Sequence, residues 1–156
     1  PESYAHMLAV TTQLNTPGPV LAAIDGVHAM TDVTGFGLAG HALELARGAG
    51  AAVRLDWSRV PLLPGVHAGA LAGAVTGASG RNWQGYGAEV ALSAHLDPLA
   101  QTLLTDPQTS GGLLVSCAPD CVGQVLDVFA RMGFGQACEV GEVVAAQATS
   151  APLQVY

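Results

Sequence analysis

The hydrophobic and polar positions of this chain alternate between two periods, and each switch of period marks an expected element. Glu2 to Leu14 reads as a helix with Tyr4, Met7, Leu8 and Leu14 as its apolar positions, stopped by Asn15-Thr16-Pro17-Gly18-Pro19. Val20 to Ile24 is a short apolar segment, and Val27 to Val33 reads as a strand. Leu38 to Ala49 is an amphipathic helix with Leu38, Ala42, Leu45 and Ala49 on one face, and Gly48 and Gly50 as its stop signals. Ala52 to Asp56 alternates like a strand, Pro61 to Gly65 is a turn, and Val66 to Ala74 is a helix.

The second half follows the same logic. Val75 to Gly87 is glycine-rich and reads as a loop carrying Arg81, Asn82, Trp83 and Tyr86. Pro98 to Leu104 is a short helix, and Leu113 to Cys117 a buried strand. Pro119 opens a helix whose stripe is Val122, Val125, Leu126 and Phe129, and Gly133 closes it. Ala137 to Val144 and Leu153 to Val155 are the last strands. Helices alternating with strands, with no linker and no internal repeat, predict one α/β domain built on a mixed sheet.

Composition narrows the function. The 156 residues can bury a real core, and 50% of them are hydrophobic, yet no uncharged apolar run reaches the ~18 residues of a membrane span. The basic residues are five arginines with no lysine, and the net charge is −7. A nucleic acid partner needs a basic footprint, so none is expected. Any bound nucleotide then needs Mg²⁺ or a second chain to offset its charge. Cys117, Cys121 and Cys138 form no C-x-x-C pair, so they read as reduced thiols rather than a zinc site. The start shows no basic region followed by an apolar run, which predicts a cytoplasmic protein, and Pro1 predicts a chain that begins partway through a longer one.

The candidate chemistry lies in Met30-Thr31-Asp32-Val33-Thr34-Gly35-Phe36-Gly37-Leu38-Ala39-Gly40-His41. Glycines let the backbone approach a ligand, and the following helix offers unpaired N–H groups that suit phosphate. Asp32 adds a hard oxygen of the kind that holds Mg²⁺ beside phosphates. Two other readings stand beside this one. Asp32 can instead cap the glycine turn through a backbone N–H. Gly35, Gly37 and Gly40 also spell G-x-G-x-x-G between a strand and a helix, with Asp56 placed 21 residues after Gly35 like the ribose-binding acid of an NAD-binding fold. The polar positions of the preceding strand and the charge of Asp32 beside a pyrophosphate weigh against that fingerprint. His41 reads as a packed, hydrogen-bonded histidine, and Trp83 and Tyr86 as anchors under their loop.

Four motifs, in order, carry a resemblance. They are Val27–Leu38 with Gly40-His41, Val60-Pro61-Leu62-Leu63-Pro64-Gly65, Arg81-Asn82 with Tyr86-Gly87, and Asp106-Pro107-Gln108-Thr109-Ser110-Gly111-Gly112-Leu113-Leu114. Together they resemble selenophosphate synthetase (selenide, water dikinase), and the first and last are long and specific. The resemblance implies an enzyme that makes selenophosphate from ATP, selenide and water, releasing AMP and phosphate. It implies a C-terminal half that is an α/β sandwich like that of aminoimidazole ribonucleotide synthetase, working with an N-terminal half that carries the reactive Cys or selenocysteine, a Lys and several metal-binding Asp residues. It implies that this chain is that C-terminal half, inactive alone, with a homodimer as the full-length form. A stand-alone nucleotide-binding or regulatory module of the same superfamily is the alternative.

Carried onto this sequence, the resemblance makes Asp32 the Mg²⁺ ligand. It makes Thr34, Gly35, Phe36 and Gly37 the turn on the ATP side. Arg81, Asn82, Asp106, Gln108, Thr109 and Ser110 line the site. The sequence departs from the family pattern at Thr76 and Ala78, where Pro and Gly are expected before Arg81.

Overall fold

The computed structural model describes residues 2–156, so the expectation attached to Pro1 lies outside the described residues. Among the described residues seven α-helices and six strands follow one another: α1 Glu2–Thr11, α2 Pro17–Leu21, β1 Val27–Asp32, α3 Gly37–Ala49, β2 Ala51–Leu55, α4 Val66–Leu71, α5 Gly77–Tyr86, β3 Val90–Leu92, α6 Ala100–Leu104, β4 Leu113–Cys117, α7 Val122–Arg131, β5 Gly141–Ala145 and β6 Leu153–Val155. The expected α/β class with a mixed sheet is observed, but the strands divide into two sheets. Four form the order β3-β6-β2-β5, with β2–β6 and β3–β6 parallel and β2–β5 antiparallel. The other two, β1 and β4, form a separate antiparallel ribbon.

Helix α3 connects the two. Its buried stripe is Ala39, Ala42, Leu43 and Ala46, at the i, i+3, i+4, i+7 spacing of one helical face. These residues pack against Val53 and Leu55 of β2, Leu153 and Val155 of β6, and Leu104. Alanines bring the helix backbone close to the sheet, and Leu43, fully buried, contributes about 1.5–3 kcal/mol by leaving water. The expected face was rotated: Ala49 is exposed and Leu45 only half-buried. Gly50, left-handed at φ 60°, ends the helix, whereas Gly48 lies inside it. A second core lies under the ribbon, where Val125, Val128 and Phe129 of α7 and Leu21 of α2 meet Met30, Leu113 and Val115. Strand β4, expected to be buried, is half-buried along its length: Leu114 packs against the core under α3, and Leu113 and Val115 pack against the second core.

Other expectations fail for identifiable reasons. Pro17 does not merely stop a helix but starts α2, since a proline at the first turn sacrifices no internal hydrogen bond. The segment expected as a loop from Val75 is helix α5, capped by Thr76, whose hydroxyl accepts from the Ser79 N–H. The departure from the family pattern at Thr76 therefore supplies a helix cap. Strand β3 has too few residues to show a period, and β5 starts only at Gly141. Helix α1 ends at Thr11, and its expected apolar positions stay in solvent: Tyr4 is 63% exposed and Leu14, beyond its end, 76%.

Candidate functional site

Three segments distant in sequence meet at the turn that follows β1. The β1–β4 ladder pairs Asp32 with Leu113 and continues through a Val33 N–H donating to the Gly112 carbonyl at 2.9 Å. The Thr34 carbonyl accepts from the N–H of Gly37 at 3.1 Å and from that of Gln108 at 2.9 Å. Asn82 of α5 donates from its amide nitrogen to the carbonyls of Gly35 and Thr105, each at 2.9 Å. The Tyr86 hydroxyl donates to the Phe36 carbonyl and takes the Gly40 N–H, which ties α5 to the first turn of α3. Burial, opposed by that N–H, pushes the Tyr86 phenol up to about 12.

The glycines of the fingerprint have different tasks. Gly37 sits at φ 68°, and a Cβ there would come within 2.6 Å of the Leu104 carbonyl oxygen. A Cβ at Gly40 would press on the Tyr86 ring at 3.2 Å. Both glycines serve internal packing, and only Gly35 faces open space. The NAD-binding reading fails on topology. That fingerprint joins two parallel strands of one sheet, whereas β1 and β2 belong to different sheets. Asp56, its supposed ribose ligand, instead caps a short 3₁₀ turn by accepting from the N–H and hydroxyl of Ser58.

The polar side chains divide into committed and free groups. The Asp106 carboxylate accepts from Thr76 at 3.2 Å, Ser79 at 3.3 Å and the Gln108 amide at 3.3 Å. Both Asn82 donors described above go to protein carbonyls, so this residue and Asp106 hold the turns in shape. Asp32 is exposed at the end of β1, and its carboxylate takes no hydrogen bond among the described residues, so the capping alternative is not realised. Thr109 and Ser110 lie exposed at the tip of the second turn.

Arg81 is the arginine without a partner among the described residues. Arg47, Arg54 and Arg59 pair with Glu89, Glu142 and Glu139, and Arg131 donates to the Asp127 carbonyl. The Arg81 side chain is exposed and lies along its own helix near Gly77. Among the described residues no three His, Cys, Asp or Glu side chains cluster closely enough to hold a metal. A lone free carboxylate still suits Mg²⁺, which binds through one or two carboxylates and takes its remaining oxygens from water and phosphates.

Sequence reasoning identified His41 as packed and hydrogen-bonded, and it is buried, but its connections were missed. Nε2 lies 3.2 Å from the Thr34 hydroxyl and Nδ1 2.7 Å from a Glu44 carboxylate oxygen. The i, i+3 spacing of His41 and Glu44 was the available signal. Tyr86 packs against the sheet core as expected, from a helix rather than a loop.

The family described as AIR synthase related protein, C-terminal domain, matches residues 9–153, and the chain belongs to it. Its relatives include the selenide, water dikinase of Paraburkholderia xenovorans, 58% identical over 144 residues, which are 92% of this chain and 41% of that protein. The enzyme of the same name from Rhizobium meliloti is 47% identical over 148 residues, 95% of this chain and 42% of its own. The chain thus spans about two-fifths of the length of these relatives. Among solved structures, Escherichia coli HypE superposes with a TM-score of 0.62 at 21% identity, covering 90% of this chain and 34% of HypE. A hydrogenase maturation protein HypE solved in complex with ATP gives 0.59 at 18% identity, covering 91% and 37%. At these identities the likeness is one of fold. No helix among the described residues is long and apolar enough to cross a membrane.

Proposed function

We propose that this chain is the C-terminal half of a selenide, water dikinase, that it supplies one wall of a Mg²⁺·ATP phosphate site, and that it does not turn over alone. The observation that carries this reading is the free carboxylate of Asp32. It stands exposed at the end of β1, while Asp106 and Glu44 beside the same turn are held by protein donors. A carboxylate left unbonded beside a braced glycine turn is available to a cation. Mg²⁺, when bound, supplies charge neutralisation for the polyphosphate.

The chain's own residues have simpler tasks in this reading. Asp32 holds the cation. The turn Thr34–Gly37 keeps a fixed shape because Asn82, Tyr86 and Gln108 tie its carbonyls, so little ordering is required when nucleotide arrives. Arg81 offers a positive charge to phosphate. The reactive Cys or selenocysteine, the Lys and the further metal ligands belong to the N-terminal half, which this reading takes as the first partner of the chain, and the whole enzyme acts as a homodimer.

The test joins this chain to the N-terminal half of the Paraburkholderia relative and follows selenide-dependent release of AMP and phosphate from ATP. The joined protein is expected to turn over, the chain alone to give none, and Asp32→Ala in the joined protein to lose release while its unfolding transition is kept. Normal turnover by the Asp32→Ala protein refutes the metal role.

A further inference from the structure

Resting on that reading, we propose that Thr34 is a second oxygen ligand beside Asp32 for the divalent cation, and that His41, held by Glu44, is the positioning residue that presents it. His41 and Glu44 sit one turn apart on α3, and the imidazole reaches back over the preceding turn, as helical side chains do. His41 is 6% exposed, and each ring nitrogen has one polar neighbour: Glu44 on Nδ1 at 2.7 Å and Thr34 on Nε2 at 3.2 Å.

Hydrogen counting fixes the direction of the chain. An ionised carboxylate only accepts, so the Nδ1 beside Glu44 carries the hydrogen. In the neutral ring Nε2 is then the lone-pair nitrogen, and it accepts the Thr34 hydroxyl proton. That proton is turned towards the buried imidazole, and the oxygen of the half-buried Thr34 keeps its lone pairs. A hydroxyl in this state cannot donate to a phosphate oxygen. It suits a hard cation.

The rest of the turn agrees. The Thr34 carbonyl is already taken by the Gly37 and Gln108 N–H groups, so the side chain is the group of this residue with capacity to spare. Asp32, two residues earlier, brings the charge that a hydroxyl lacks. Gly35, one residue later, has open space where a side chain would stand. Two protein oxygens in an octahedral shell leave four places for water and phosphate, the usual arrangement for Mg²⁺ at a nucleotide.

The test uses this chain, nuclear magnetic resonance and Mn²⁺ as the probe, whose paramagnetic broadening reports even weak binding. Long-range proton–nitrogen spectra are expected to show His41 as the Nδ1–H tautomer. Mn²⁺ is expected to broaden the Asp32 and Thr34 signals first. Thr34→Val should weaken binding by about tenfold, Thr34→Ser should restore it, and His41→Phe should weaken it with the amide spectrum unchanged away from the turn.

Wild-type affinity in Thr34→Val or in a folded His41→Phe overturns the proposal, as does the Nε2–H tautomer or an unbroadened Thr34 in the wild-type chain. Asp32→Asn separates the two ideas. Binding that survives this change removes the metal role of Asp32, whereas binding lost there but kept in Thr34→Val overturns only the inference about Thr34.

Discussion

Asn82 holds the carbonyl of Gly35 at 2.9 Å across 47 positions of sequence, and the same amide nitrogen reaches Thr105. One side chain thereby fixes the glycine turn against the end of α6. Asn82→Ala leaves two carbonyls unsatisfied and is expected to destabilise the chain by about 1–3 kcal/mol, read from the midpoint of urea unfolding. Asn82→Asp should cost at least as much, because a carboxylate brings negative charge to two carbonyl oxygens and offers no donor.

Neighbouring glycines give a sharper contrast. A Cβ at Gly111 would overlap the Val33 carbonyl, while one at Gly112 meets nothing within 4 Å. Neither has a positive φ, so space alone separates them. Gly111→Ala is expected to cost about 1–3 kcal/mol, and Gly112→Ala to be neutral or stabilising by up to about 1 kcal/mol. Thermal unfolding of the two variants side by side checks this, and equal transition temperatures contradict it.

Much of this was legible in the sequence, and the exceptions share a cause. Strand β4, the closing Gly133 and the strand Leu153–Val155 follow from local pattern, because local sequence decides them. Helix α5 does not. Its glycines argue for a loop, and what overrides them is tertiary: Asn82 bonded to two remote carbonyls and Tyr86 lodged against Gly40. The site divides in the same way. Asp32 and the turn Thr34–Gly37 were read from their motif, whereas the commitment of Asn82 and Asp106 to bracing depends on partners far away in the chain. The apolar positions of α1 gave the helix its pattern without a partner to pack on among the described residues, and Tyr4 stands 63% exposed.

Alkaline pH acts on the brace at Tyr86. Its phenol is pushed from the ordinary 10.0 up to about 12 in the folded chain, chiefly by burial. The folded state therefore keeps a proton that the unfolded state releases. The stability this contributes is fully present below about pH 10, where both states are protonated, and is lost as pH rises towards 12. Phenolate absorbance should show a component titrating near 12 that Tyr86→Phe lacks, and Tyr86→Phe should flatten the fall in stability across that window.

Asp97 gives an acidic counterpart. Its carboxyl lies below the ordinary 3.8, first because the Leu99 N–H donates to it and second because His67 does. The contribution is present above that ordinary value and is lost as pH falls through the depressed one. Carbon-detected titration of Asp97 in His67→Ala should recover only the smaller part of the depression, since the Leu99 amide remains. Full recovery would make the ion pair the main cause.

The ties between the first glycine turn and residues 105–112 also set a timetable. During synthesis the segment through Phe36 leaves the ribosome long before Thr105, Gln108 and Gly112, the groups that lock it, have been made. A nascent chain that stops short of Gly112 has the residues of the candidate site but not its shape. The turn thus takes its shape only once Gly112 has been made, and truncated products carry Asp32 and the glycines without that shape.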